Sequence, residues 1–345
     1  MEYRFAHRLY RLPFRQPVRT GQGVWAERAG VLVRLEDASG HVGWGEAAPI
    51  PWFGTETAEA IDVTYRSLGE LVDDRVLDAV PAQSGCLKNA LAAARSRAVT
   101  APTDPAPRQV AALLPAGPEA MVAIRQKLEA GFRVFKWKVG VTDAATEMGL
   151  LDDLCGELPA GAKLRLDANG AWDRRTAERW LACCAERPVE FVEQPCFAPL
   201  AGASQGTALR HKTEDVLLGL AADYPTPLAL DESLVHDGDV AHWLARGWPG
   251  FYVIKSALLG DPASVLAALH QANAKVVFSS ALETAVGAKA ALQHAFAWTG
   301  SRHALGFGVW PLYADQALNG PTALPFVRWE DVNSLNPEAA WNALN

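Results

Sequence analysis

From Gln109 onward the chain repeats one unit: a short apolar run, closed by a polar or ionisable residue, then an amphipathic stretch. The runs lie near 109–114, 133–139, 163–168, 189–193, 227–231, 250–256, 275–279 and 304–308. Helical patterns such as those at 118–130, 174–186 and 262–273 separate them. Eight strands alternating with seven helical segments predict a closed parallel barrel. An open doubly wound sheet is the rival, but it is usually accompanied by a Gly-rich first turn, and none follows 109–114.

Residues 1–105 read differently. Val31–Leu35 and Val42–Glu46, separated by Asp37-Ala38-Ser39-Gly40, predict an antiparallel hairpin. A Pro-, Gly- and aromatic-rich loop runs from Ala47 to Thr57, and helical patterns follow at 57–71 and 87–99. Strands first and helices after predict a small α+β domain over 1–105. Three prolines between Thr100 and Pro107 mark a linker into a barrel domain over 106–313. The stretch from Cys196 to Tyr224 is longer than an ordinary connection and is expected to hold an extra turn or helix. The tail, 314–345, is expected to pack back on the first domain.

Composition narrows the partners. A net charge of -7 with scattered Lys and Arg excludes the basic patch of a nucleic-acid binder. Met1 to Phe14 is broken by Arg4, His7, Arg8 and Arg11, so it lacks the apolar core of a signal peptide, and no apolar run is long enough to span a bilayer. Five cysteines without metal-knuckle spacing fit reduced thiols, and a cytoplasmic location is expected.

In parallel barrels the chemistry sits at the C-terminal ends of the strands. Taken singly, a charge there is most simply a solvated residue closing a strand. That account must be invoked five times over, and it predicts no order. The order here is Lys136 and Lys138, Asp167, Glu193, Asp231 and Lys255 on consecutive strands two to six. Three converging carboxylates repel one another unless a cation neutralises them. All-oxygen ligation by Asp167, Glu193 and Asp231 predicts a hard divalent ion, Mg2+ before Mn2+, and zinc is disfavoured because no His or Cys joins the trio. Glu232 alternates away from Asp231 and is placed behind the ligands. Lys136 and Lys138 share one face of their strand. An ordinary lysine is neutral in only about 1 in 2,500 molecules at pH 7. A neighbouring cation lowers its pKa, which would make Lys138 a usable base. A metal flanked by lysines suits removal of a proton next to a carboxylate, with the ion stabilising the ene-diolate that forms.

These residues resemble the enolase superfamily in its muconate-lactonising-type branch. The motifs are Lys136-Trp137-Lys138, Asp167-Ala168-Asn169, Glu193-Gln194-Pro195, Asp231-Glu232-Ser233 and Lys255, with Gly43-Trp44-Gly45-Glu46-Ala47-Ala48-Pro49 in the first domain. The resemblance implies a modified TIM barrel, (β/α)7β, closed over its substrate by an N-terminal α+β capping domain. Within the branch it is strongest to the o-succinylbenzoate synthase family. Arg165 stands two residues before Asp167, and Ser279-Ser280 is followed by Glu283-Thr284-Ala285-Val286-Gly287. The resemblance implies dehydration of a succinyl-hydroxycyclohexadiene-carboxylate. Lys138 would take the proton and return it to the departing hydroxide, and Lys255 would stabilise the enediolate from the opposite face. Lys136, Arg165, Asn169, Glu232, Ser279 and Ser280 would contact substrate or support the ligands. Dipeptide epimerases of the branch carry Asp-x-Asp on the eighth strand, and 303–310 has no carboxylate. An N-succinylamino-acid racemase, or another cycloisomerase of the branch, stays open. A Schiff-base aldolase, of a different class, would use Lys138 or Lys255 and leave the three acids unexplained.

Overall fold

The N-terminal segment, expected only to lack a leader-like core, is the longest strand of the molecule. In the computed structural model, which describes every residue except 21, 22, 82, 83, 97–101, 103, 198–204 and 345, β1 spans Glu2–Thr20 and pairs antiparallel with β2, Gly23–Asp37. The sheet is completed by β3, Val42–Ala47, and β4, Leu71–Asp73, in the order β3-β2-β1-β4. The hairpin read at 31–35 and 42–46 is its β2–β3 edge. Three helices cover the sheet: α1, Ala58–Leu68, α2, Asp74–Asp78, and α3, Gly85–Arg95. Thr57 caps α1 by accepting from Ala60 N at 3.2 Å. The glycines of Gly43-Trp44-Gly45 have a steric cause: a Cβ at either would collide with the Ala94 or Ala90 carbonyl oxygen, so α3 lies directly on β3.

The expected first barrel strand is split into β5, Arg108–Gln109, and β6, Ala112–Leu114. The alternation then continues through α4, Glu119–Glu129, β7, Val134–Lys138, α5, Ala144–Glu157, β8, Lys163–Asp167, α6, Arg174–Cys184, and β9, Val189–Glu193. It goes on through α7, Gln205–Asp223, β10, Leu228–Leu230, α8, Asp237–Ala245, β11, Phe251–Ile254, α9, Pro262–Gln271, β12, Lys275–Phe278, and α10, Ala285–Ala297. Strands β6 to β12 form one parallel seven-stranded sheet in sequence order. The eighth strand is reduced to two parallel bridges, Leu305 to Val110 and Gly306 to Ser279, which join the sheet's two edges. Much of the long 196–224 connection is α7 itself, while 198–204, like part of the expected linker, lies outside the described residues. No helix among the described residues is long and apolar enough to cross a membrane.

The tail returns to both layers. Its β13, Phe326–Val327, pairs antiparallel with β5. Two short helices follow, α11, Trp329–Asn333, and α12, Pro337–Asn342. Trp341 of α12 lies under the Arg8 guanidinium at 4.2 Å and beside Trp44 at 5.5 Å. On the opposite flank Asn89 of α3 donates to Ser256 O and Leu259 O, each at 2.8 Å, so the capping layer grips the turn that follows Lys255.

Candidate active site

Side chains alternate along a strand, so residues two apart share a face. Phe191, Ala229, Phe251, Val253 and Val277 form a buried cluster inside the barrel. Glu193, Asp231, Lys255 and Ser279 stand two residues beyond Phe191, Ala229, Val253 and Val277, and so rise from that floor at the C-terminal mouth. Register puts Lys138 opposite Asp167 and Asp167 opposite Glu193 on neighbouring strands.

The acids are buried: Asp167 is 7% exposed, Glu193 1% and Asp231 6%. They are held by lysines. The Lys136 ammonium sits between Asp167 Oδ2 at 2.9 Å and Glu193 Oε1 at 2.7 Å, and the Lys255 ammonium bonds Asp231 Oδ1. Burial alone would lower the Lys136 pKa, but Asp167, Glu193 and Asp231 together raise it above the ordinary lysine value. Lys136 is therefore a fixed cation, two residues before Lys138 on the same strand. Glu193 is pushed up to about 7 by burial and by Asp167 and Asp231, against the pull of Lys136. Asp167 goes the other way: burial opposes ionisation, but Lys136 and Lys138 hold its pKa down.

Among the described residues no three acidic, histidine or cysteine side chains already surround a single metal position. The reason is visible in the pairing, since the two ammonium groups stand where a cation's charge is needed. The donor set is nonetheless what a hard divalent ion takes: three buried carboxylates on adjacent strands, with oxygens of two of them already meeting at one cationic point. Asp167, Glu193 and Asp231 fit such an ion once the lysines swing off them.

The supporting residues fall into two groups. Asn169 donates through Nδ2 to Glu232 Oε1 at 2.9 Å, and its backbone N–H reaches Asp167 Oδ1 at 3.2 Å. Glu232 is pushed up to about 8, by burial first and then by Asp231 and Asp167. Gln194, to which the sequence reading gave no role, ties two strand ends together. Its Oε1 accepts from Asp231 N at 3.0 Å and Ser233 N at 3.2 Å, and its Nε2 donates to Cys196 O and Ser233 Oγ, each at 2.9 Å. An amide next to an expected ligand carboxylate was the only signal available. Asn169 and Gln194 have φ of 45° and 37°, and Leu282, beyond strand seven, has 59°. Positive φ outside glycine is costly and gathers where the surrounding structure re-aims side chains.

Two expectations need correction. Arg165 does not turn to the mouth. A register shift at the start of the β8–β9 pairing brings Glu190 within reach, and the Arg165 guanidinium bonds Glu190 Oε2 at 2.6 Å and Ala304 O at 2.8 Å while lying 4.8 Å over the Phe191 ring. Ser280 is likewise engaged in its own turn, donating to Glu283 Oε2 at 2.9 Å and accepting from Leu282 N at 2.8 Å. Ser279 keeps the inward parity of strand seven. From the capping layer, the Phe53 ring lies 5.1 Å from Lys255 Nζ. A cavity opens to one side of this contact, lined by Phe53, Glu232, Ser233, His236 and Trp243 but by neither Lys138 nor Lys255.

Comparison with known proteins gives the site a family. Residues 119–325 match the family described as enolase C-terminal domain-like, and 4–84 match the MenC N-terminal domain. The chain is 40% identical over 311 residues to an o-succinylbenzoate synthase of Thermosynechococcus vestitus, covering 89% of this chain and 92% of that protein. The chain belongs to the o-succinylbenzoate synthase family of the enolase superfamily. An Edwardsiella ictaluri member is 31% identical over 289 residues, covering 81% of each chain. The crystal structure of o-succinylbenzoate synthase from Thermosynechococcus elongatus, with magnesium in its active site, superposes with a TM-score of 0.79 at 39% identity, over 90% of this chain and 94% of that one. The Bacillus subtilis L-Ala-D/L-Glu epimerase superposes nearly as well, with a TM-score of 0.78 over 94% of this chain and 96% of that one. At 19% identity it shares the fold alone.

Proposed function

We propose that the chain is an o-succinylbenzoate synthase that dehydrates 2-succinyl-6-hydroxy-2,4-cyclohexadiene-1-carboxylate, on a route to menaquinone or phylloquinone. The observation that carries this reading is the likeness to one o-succinylbenzoate synthase along 89% of the chain at 40% identity. Relatives of other activities share only the fold.

The chemistry assigns each rim residue a task. Lys138, in its neutral form, takes the proton from the ring carbon next to the carboxylate. The electron pair moves into the carboxylate group as an enediolate, and Lys255 faces that charge across the barrel mouth. The pair then returns to the ring as the C–O bond breaks, and Lys138 hands its proton to the departing hydroxide on the same face. Water leaves and the ring becomes aromatic, which makes the step downhill. Lys136 stays protonated beside Asp167 and Glu193 and holds those two carboxylates together. A divalent ion, Mg2+ in this proposal and held by Asp167, Glu193 and Asp231, would supply positive charge to the carboxylate oxygens as the enediolate develops. Asn169 N–H holds Asp167, Gln194 fixes the backbone that carries Asp231, and Glu232 anchors Asn169. The bridge region at 304–306 offers no acid to an ammonium group, in keeping with a dianionic rather than a dipeptide substrate.

Purified protein with magnesium is expected to convert the cyclohexadiene substrate to o-succinylbenzoate, with an N-succinylamino acid tested in parallel. Exchange of the α-proton of the succinylated amino acid without dehydration of the diene would replace the synthase by a racemase.

A further inference from the structure

The turn after strand seven is held by a carboxylate from the capping layer. Glu46, near the end of β3, is 2% exposed. It accepts from Thr284 N at 2.9 and 3.1 Å, from Gly287 N at 2.8 Å, and from the hydroxyls of Thr284 and Tyr10. Thr284 is the N-cap of α10, so Glu46 meets unsatisfied N–H groups at the positive end of a helix dipole. That role normally falls to a neighbouring side chain, yet here the partner is 238 residues away in sequence. Gly287 is part of the arrangement, because a Cβ there would lie 2.9 Å from Glu283 Cβ and Cγ and 3.0 Å from Glu46 Oε2.

A second buried carboxylate organises the other side of the same turn. Glu283, 0% exposed, accepts through Oε2 from Ser280 Oγ at 2.9 Å and Ala281 N at 2.5 Å. Leu282 O accepts from Tyr313 OH at 2.7 Å. The turn begins directly after Ser279, the inward residue at the end of strand seven.

We propose that Glu46 is a positioning residue for the reaction: it latches the capping layer to the turn after strand seven and so sets where Ser279 and the capping loop stand relative to Lys255. This rests on the synthase reading above. The groups facing the latch are Tyr10 from β1, Arg28 from β2, Tyr313 from beyond strand eight, and Glu283 within the turn. Burial and the nearby Glu46 push Glu283 up to about 7 from its ordinary 4.5. A raised carboxyl pKa favours the folded, latched state below the ordinary value, and that contribution is lost as pH rises through about 7. Above that point two carboxylates share one buried seam and the latch loosens.

Steady-state o-succinylbenzoate formation by Glu46→Gln tests this, because an amide places a donor against donors. KM is expected to rise roughly tenfold while kcat falls less than about threefold. Tyr65→Phe is the control for a weakened capping layer, since its buried hydroxyl bonds Leu87 O within that layer at 3.0 Å. It is expected to lower Tm and leave KM unchanged. In the wild type KM is expected to climb above pH 7, and Glu283→Gln flattens that climb. If Glu46→Gln does not fold, Thr284→Ala removes the hydroxyl leg, together with the cap that accepts from Val286 N at 3.3 Å, and raises KM in the same direction. Wild-type KM and kcat in the foldable latch variant, or an equal KM rise in Tyr65→Phe, overturns the proposal. A wild type that does not dehydrate the diene sinks the synthase reading instead. The latch is then read by hydrogen exchange at residues 284–287, and unchanged rates in Glu46→Gln overturn it.

Discussion

The barrel holds ionic clusters at both ends, and strand β9 contributes a glutamate to each. At the N-terminal end Glu190 meets Arg165 at 2.6 Å and His303 at 3.4 Å. Its pKa is held down to about 2: burial resists, but the His303 hydrogen bond and the Arg165 charge prevail. Three residues on, Glu193 is pushed up to about 7. The first cluster matches its carboxylate with the Arg165 guanidinium. The second gathers Asp167, Glu193, Asp231 and Glu232 around Lys136, Lys138 and Lys255, four acids to three lysines, and is still short of positive charge. Charge balance, more than burial, separates a brace from a site poised for a cation and a substrate.

Substitutions at the two ends are expected to separate activity from stability. Lys138→Ala should lower kcat by about 10³-fold or more, because it removes both the base and the returning acid, with Tm almost unchanged. An unaltered rate would refute the base assignment. Lys255→Ala should cost roughly 10²-fold in kcat, since the enediolate loses a cation. Glu190→Gln inverts the pattern: about 3 kcal/mol of stability at pH 7 is lost and kcat stays near wild type, by denaturant unfolding alongside the activity assay. The sign follows from the lowered pKa. The Glu190 contribution is full above 4.5 and disappears as pH falls through about 2, so wild type and variant should converge in acid. A large loss of kcat in Glu190→Gln would dissolve the contrast between the ends.

Smaller effects sharpen it. Gln194→Ala removes the acceptor shared by Asp231 N and Ser233 N, and should weaken divalent-ion affinity by about tenfold in a calorimetric titration. Thr57→Ala, which touches neither cluster, should cost about 1 kcal/mol through the lost cap of α1 and leave KM and kcat unchanged.

The polar mouth was legible because strand parity and order are local. Lys136, Lys138, Asp167, Glu193, Asp231 and Lys255 each close an apolar run, and a parallel barrel brings such ends to one side. What escaped depends on partners far apart in the chain. The arginines of β1 interrupt its alternation, so a 19-residue strand read only as a non-leader segment. Strand eight, read at 304–308, is reduced to two bridges, and its glycines mark a close approach that only the fold reveals: a Cβ at Gly306 or Gly308 would collide with Ser279 or with the Ala111 carbonyl. Arg165 shares the parity of Asp167 and was expected at the mouth. The shifted register that lets it reach Glu190 has no local signature. The bonds from Glu46 to Thr284 and from Gln194 to Asp231 are likewise products of the fold.

The most direct test of the poised mouth is anomalous diffraction from crystals soaked in Mn2+. One ion is expected, touched by an oxygen from each of Asp167, Glu193 and Asp231, with the Lys136 ammonium moved off the two acids it now bridges. An ion bound elsewhere, or three carboxylates still paired with Lys136 and Lys255 and no ion between them, would contradict the account.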